Sequence, residues 1–179
     1  MNAPDPSFLA VPGRAQKAGW PERAPLIVVS VAAQKAGLLL PGGRWAGPWP
    51  VSTARAGTGD EPGSHRTPTG LHRVAERIGA GAPPGAEFVS RAPTGRVLTA
   101  GEMSAADDDL ILTRILWLEA CNPASTRTPL AGTSYIHGTN RESDLGSPAS
   151  HGCIRMSNRD VIALSALLPG GTDAWCWIE

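Results

Sequence analysis

The run Leu110-Ile111-Leu112-Thr113-Arg114-Ile115-Leu116-Trp117-Leu118 separates a mainly β chain from a mixed helical one. It is apolar almost throughout, so periodicity alone does not distinguish a buried strand from a buried helix. Its short length and its β-branched Ile111, Thr113 and Ile115 favour a strand. Asp107-Asp108-Asp109, just ahead of it, would cap a helix as readily as lead into a strand. The strand is the preferred reading.

The flanking sequence agrees. Leu26 to Ala33 is a second short, β-branched run and reads as a first buried strand. The alternative, the apolar core of a signal peptide behind Arg14, Lys17 and Arg23, is opposed by Glu22, two crowding prolines and a late start. Trp49 to Thr53 and the alternating Ala174-Trp175-Cys176-Trp177-Ile178 are further strands. Turns fall at Pro41-Gly42-Gly43 and at Ala80 to Gly85, and the Gly/Pro-rich stretch from Ala54 to Gly70 is a long loop bordering the surface or a site. Gly (21) and Pro (17) make up about a fifth of the 179 residues, against a usual share of roughly 12%. One helix is well specified. Ser157-Asn158-Arg159-Asp160 has capping-box spacing, Val161, Leu164 and Leu168 share a face widened by Ile162 and Leu167, and Pro169-Gly170-Gly171 stops it. The expected fold is mainly β, a mixed sandwich or barrel-like sheet with a few short helices. Residues 1–25 are expected to be a loose N-terminal segment ahead of one domain over 26–179.

Composition narrows function. Lys+Arg and Asp+Glu are 16 each, for a formal net charge of zero, which leaves no electrostatic footprint for nucleic acid. No apolar run approaches the roughly 18 residues of a membrane span. The chain has three cysteines, so paired disulfides cannot take up all of them.

Chemistry concentrates in Tyr135-Ile136-His137-Gly138-Thr139 and Ser150-His151-Gly152-Cys153-Ile154-Arg155-Met156. A cysteine attacks as thiolate, and at an ordinary pKa near 8.5 only roughly 3% is ionised at pH 7. A neighbouring imidazole removes that limit by taking the proton or holding an ion pair. Cys153 also precedes the helix capped by Ser157, whose positive end would favour a thiolate. Backbone N–H groups at a glycine turn can stabilise an oxyanion. Zinc held by His137, His151 and Cys153 is the competing reading, but no Cys-x-x-Cys accompanies them. Cys121 and Cys176 read as small buried hydrophobes, and His65 and His72 as residues outside the site.

Together, His137-Gly138-Thr139 and Ser150-His151-Gly152-Cys153 closely resemble the signature of the YkuD-type L,D-transpeptidase catalytic domain. Pro50-Val51-Ser52-Thr53, Thr67-Pro68-Thr69-Gly70, the approach Leu145 to Ala149 and the closing segment Leu164 to Ile178 are similar to further family elements. The resemblance implies a peptidoglycan stem peptide as substrate, with no cofactor and no metal. Cys153 would attack the carbonyl of the diamino acid at position three of a tetrapeptide, D-Ala would leave, and a thioester would form. An amine of a second stem would resolve it into a 3→3 cross-link. Water in that role would make an L,D-carboxypeptidase, and loss of catalysis would leave a cell-wall binding module. The resemblance makes His137 the general base, oriented by the Gly138 carbonyl, with Asp144 as a weaker orienting candidate. It makes the N–H groups of Gly152 and Cys153 the oxyanion donors. Ser150, His151, Thr139 and Tyr135 are expected at the substrate, Tyr135 and Arg114 having core packing or a solvated head group as their alternatives. Arg155 either binds a substrate carboxylate or forms a structural ion pair. A periplasmic or cell-envelope location follows from the same resemblance.

Overall fold

The structure is a computed structural model that describes residues 4–121, 134–170 and 173–179. Ten strands form one sheet: β1 (Leu26–Ser30), β2 (Lys35–Leu40), β3 (Arg44–Ser52), β4 (Gly70–Ile78), β5 (Ala86–Val89), β6 (Ala92–Val97), β7 (Ile111–Ala120), β8 (Ser134–Gly138), β9 (Ile154–Met156) and β10 (Trp175–Ile178). Their order is β4-β10-β1-β2-β3-β9-β8-β7-β5-β6, and an extra β4–β7 pairing closes eight of them into a barrel. The β5–β6 hairpin branches from β7 outside that closure. Pairs β1–β10 and β8–β9 are parallel, and the other pairings are antiparallel. The fold is therefore the mainly β, barrel-like arrangement expected, and the run at Leu110 is strand β7. Among the described residues no helix is long and apolar enough to cross a membrane.

Side-chain alternation fills the barrel. Ile27 and Val29 of β1, Leu116 and Leu118 of β7, Ile136 of β8, Ile154 and Met156 of β9, and Cys176 and Ile178 of β10 form one buried cluster. Helix α3 (Asn158–Leu167) and its flank add Val161, Leu164 and Leu168. Ser157 Oγ accepts from the Asp160 N–H at 3.0 Å, so the expected cap is present. Gly171 of the stop signal lies outside the described residues.

The opposite face of β1 explains why its whole run is apolar. Leu26 and Val28 pack against Phe8, Val11, Ala15 and Trp20. The described part of the segment before Leu26, which was expected to be loose, is thus folded over the barrel from residue 4 on. A single turn at Pro6–Phe8 and helix α1 (Val11–Lys17) carry it. Phe8 stacks on Trp45 with ring centroids 5.6 Å apart. Its ring also occupies the space that a Cβ on Gly37 would need, 2.5 Å away.

Helix α2 (Ala100–Ala105) was not expected. A full capping box starts it: Thr99 accepts from the Glu102 N–H, and the Glu102 carboxylate accepts from the Thr99 N–H.

Candidate active site

The site lies on the outer face of the barrel where β8 and β9 run side by side. Ile136 pairs with Ile154 and His137 with Arg155 in parallel register. Since Ile136 and Ile154 point inward, alternation turns Tyr135, His137 and Arg155 to the other face. Cys153, one step before β9, joins that face, packing against the cluster of Ala86, Phe88, Ile115 and Tyr135. The Tyr135 backbone N–H bonds to the cysteine sulfur.

His137 is 2% exposed, and its Nδ1 lies 2.8 Å from the Gly138 carbonyl oxygen. A carbonyl oxygen only accepts, so Nδ1 carries the proton and Nε2 is left as the basic nitrogen. Burial pushes the imidazole pKa below its ordinary value, and the Gly138 carbonyl and Asp109 offset this in part. Burial likewise pushes the Cys153 thiol up to about 11, partly opposed by the Tyr135 N–H. Burial thus favours the uncharged form of each group. The helix expected to help is too distant: three residues of β9 separate Cys153 from the Ser157 cap, about 10 Å of extended chain.

Arg155 is 2% exposed and forms the structural ion pair that the sequence left open. Its Nε and Nη2 converge on one oxygen of Asp109, at 3.1 and 2.5 Å, and Nη1 reaches Asp144 at 3.3 Å. Asp144, the other candidate for orienting the histidine, is held by Arg155. Asp109 also stands 3.5 Å from His151 Nδ1.

Of the residues expected at the substrate, several shape turns. Thr139 is fully buried, and its Oγ1 accepts from the Arg141 N–H at 3.0 Å. Ser150 is 2% exposed; its Oγ donates to the Cys153 carbonyl at 2.6 Å and accepts from the Gly152 N–H at 3.2 Å. Tyr135 is core. His151 is the one that reaches solvent, with its side chain 72% exposed. His65, read as remote, lies edge-on to His151 with centroids 6.5 Å apart. Its loop closes over the Cys153 turn: Thr67 Oγ1 donates to the Gly152 carbonyl at 3.0 Å and accepts from the Ala54 N–H at 2.9 Å. His72 is buried away from the site on β4, as expected of it. Cys121 is half-buried and Cys176 fully buried. Among the described residues no group of three or more His, Cys, Asp or Glu side chains is placed to hold a metal.

Asn158 and Asp109 are the positioning residues that sequence reasoning missed. Asn158 Nδ2 donates to the Thr139 carbonyl at 2.9 Å and to Glu142 at 3.0 Å, while its Oδ1 accepts from Thr113 Oγ1 at 2.5 Å. It thereby ties the start of α3 to the strand end that carries His137. The approach is so close that a Cβ on Gly138 would sit 2.6 Å from Asn158 Oδ1 and 2.7 Å from the Leu112 carbonyl.

With this geometry in place, the comparisons identify the family. The family profile for the L,D-transpeptidase catalytic domain matches residues 24–176. The chain belongs to that family. YkuD of Bacillus licheniformis is 57% identical over 37 residues, 21% of this chain and 22% of that protein. YqjB of Bacillus subtilis is 54% identical over the same length, 21% of each chain. Solved structures agree in fold: an L,D-transpeptidase of Xylanimonas cellulosilytica has a TM-score of 0.52 at 18% identity, covering 87% of this chain and 60% of that one. Bd1075 of Bdellovibrio bacteriovorus has a TM-score of 0.55 at 14% identity, covering 87% and 48%. The match thus spans about a fifth of the curated relatives' length and about half to three fifths of these two structures.

Proposed function

We propose that the protein is a peptidoglycan L,D-transpeptidase whose nucleophile is Cys153 and whose general base is His137. The observation that carries this reading is the His137 Nδ1–Gly138 bond at 2.8 Å. It leaves Nε2 basic, and strand alternation turns His137 to the same side of β8 as Tyr135, against whose cluster Cys153 packs. Burial favours the neutral thiol and the neutral imidazole, so in the proposed reaction proton transfer accompanies attack. The sulfur bonds to the carbonyl carbon of the position-three diamino acid as its proton passes to Nε2. The imidazolium then protonates the departing nitrogen, the C–N bond breaks, and D-Ala leaves a thioester behind.

The N–H groups of Gly152 and Cys153 are the proposed oxyanion donors. Ser150 Oγ holds the Gly152 N–H at only 3.2 Å, and an oxyanion is the stronger acceptor. An amine from a second stem attacks the thioester, returns the proton through His137 and restores the thiol. Peptidoglycan lies outside the cytoplasmic membrane, so the cell envelope is the proposed location.

Incubation with a tetrapeptide muropeptide, followed by product analysis, tests the reaction. Dimers linked 3→3 are the expected products. Trimmed tripeptides alone would replace transfer with hydrolysis, and unchanged substrate would favour a binding module.

A further inference from the structure

We propose that His65 is a substrate-contact residue, which with His151 forms the wall against which the acyl-donor stem peptide lies at Cys153. The inference rests on the stem-peptide reading above and extends it to a residue outside the His137–Thr139 and Ser150–Cys153 motifs. Backbone contacts hold His65 at the Cys153 turn. The chain after β3 interlocks with that turn: the Arg55 N–H donates to the Ser150 carbonyl at 3.0 Å, and the Ser150 N–H donates to the Thr53 carbonyl at 2.9 Å. Thr67 adds its bond to the Gly152 carbonyl. The approach is close. A Cβ built on Gly152, the residue before Cys153, would lie 4.0 Å from the His65 Cα and 3.5 Å from the Arg66 carbonyl oxygen.

The ring is tied to the reacting pair through named groups. It lies edge-on to the His151 ring, with centroids 6.5 Å apart. His151 Nδ1 stands 3.5 Å from Asp109, whose charge acts on both His137 and Cys153. Both His65 and His151 are exposed. Thr139, Ser150 and Arg155 are instead buried and spent on the fold, and Arg114 donates through Nη1 to the Ala82 and Thr113 carbonyls. An exposed imidazole offers a donor and an acceptor, the two partners that a peptide backbone needs. The backbone at His65 is strained. Its φ is +55°, in the left-handed region that residues other than glycine seldom adopt. Burial of the side chain does not compel this, because the residue is exposed. Strain held beside a nucleophile points to function.

Titration calorimetry with a free tetrapeptide stem on the Cys153→Ala protein, where no acylation intervenes, reads the contact. Adding His65→Gly is expected to weaken binding about fivefold, the scale of one lost hydrogen bond. Adding His65→Asn, which tolerates positive φ and keeps a polar side chain, should recover part of the loss. The melting temperature of His65→Gly should equal or exceed that of the wild type, since glycine adopts this φ without strain. In turnover, His65→Gly should raise KM and leave kcat within about twofold, the signature of lost ground-state binding. Affinity within about twofold of the parent, or a fall in kcat at unchanged KM, would overturn the proposal. So would a lowered melting temperature, which would make the imidazole a support of the loop. Stem binding that weakens in His65→Gly, with no acyl adduct on the wild type, would reject the transpeptidase reading and leave the contact standing. No stem binding by the parent would overturn both.

Discussion

Arg155 and Asp109, 46 residues apart in sequence, meet through two N–H groups converging on one carboxylate oxygen at 2.5 and 3.1 Å. The arginine side chain is 3% exposed and the aspartate 26%, so the pair fastens the entry of β7 to β9 beside the cysteine turn. Removing one partner of such a pair strands the other. Asp109→Asn is expected to cost about 2–4 kcal/mol in urea unfolding. Adding Arg155→Met to that variant should restore part of the loss. A cost under about 0.5 kcal/mol, the range of ordinary surface changes, would show that the pair does not hold the site together.

The pH response follows from the direction of each shift. The Cys153 thiol is raised by burial to about 11, so the folded protein holds that proton more tightly than the unfolded chain. Its contribution to stability is complete below about pH 9 and is lost as pH rises towards 11. His137 and His72 are both lowered by burial. Their contribution is present above the ordinary histidine pKa near 6.5 and is lost as pH falls. Iodoacetamide should therefore label Cys153 slowly at neutral pH and faster with a midpoint well above 9. A labelling plateau below pH 8 that disappears in His137→Ala would mean a resting ion pair instead.

Gly138 is constrained by its neighbours and not by its own backbone. An added Cβ would lie 2.6 Å from Asn158 Oδ1 and 2.7 Å from the Leu112 carbonyl, so backbone must shift. Gly138→Ala is expected to lower stability by about 1–3 kcal/mol. It should reduce kcat by a larger factor than it raises KM, because the carbonyl that orients His137 moves. Unaltered kcat would separate that carbonyl from catalysis.

The N-terminal segment gives a test remote from the site. Phe8 is 1% exposed, within the cluster under β1. Phe8→Ala should cost about 3–5 kcal/mol, seen as a lower denaturant midpoint with little change in slope. A change within about 0.5 kcal/mol would return the segment to the status of a loose leader.

Much of this was legible in the sequence, for identifiable reasons. Strands β1, β7 and β10 are short, β-branched or alternating runs, and α3 carries its own cap. Cys153 and His137 stand out because their chemistry is written in adjacent residues. The packing of the N-terminus was not legible, since Pro6 and Pro12 mask the helical spacing of Phe8, Val11 and Ala15. Helix α2 had a readable signal, Thr99 with Glu102 three residues on, but no apolar face to accompany it. Strand β6 is exposed at every position and shows no hydrophobic alternation. Nothing in Asp107-Asp108-Asp109 says which carboxylate turns inward, because Arg155 arrives from another strand.

Intact-mass spectrometry bears most directly on the role of Cys153. After mixing with a tetrapeptide stem, the wild type should gain the mass of the stem less D-Ala, and Cys153→Ala should gain nothing. His137→Ala should acylate at least about a hundredfold more slowly, the scale of a lost general base. An adduct of the same mass on Cys153→Ala would contradict the assignment of the nucleophile.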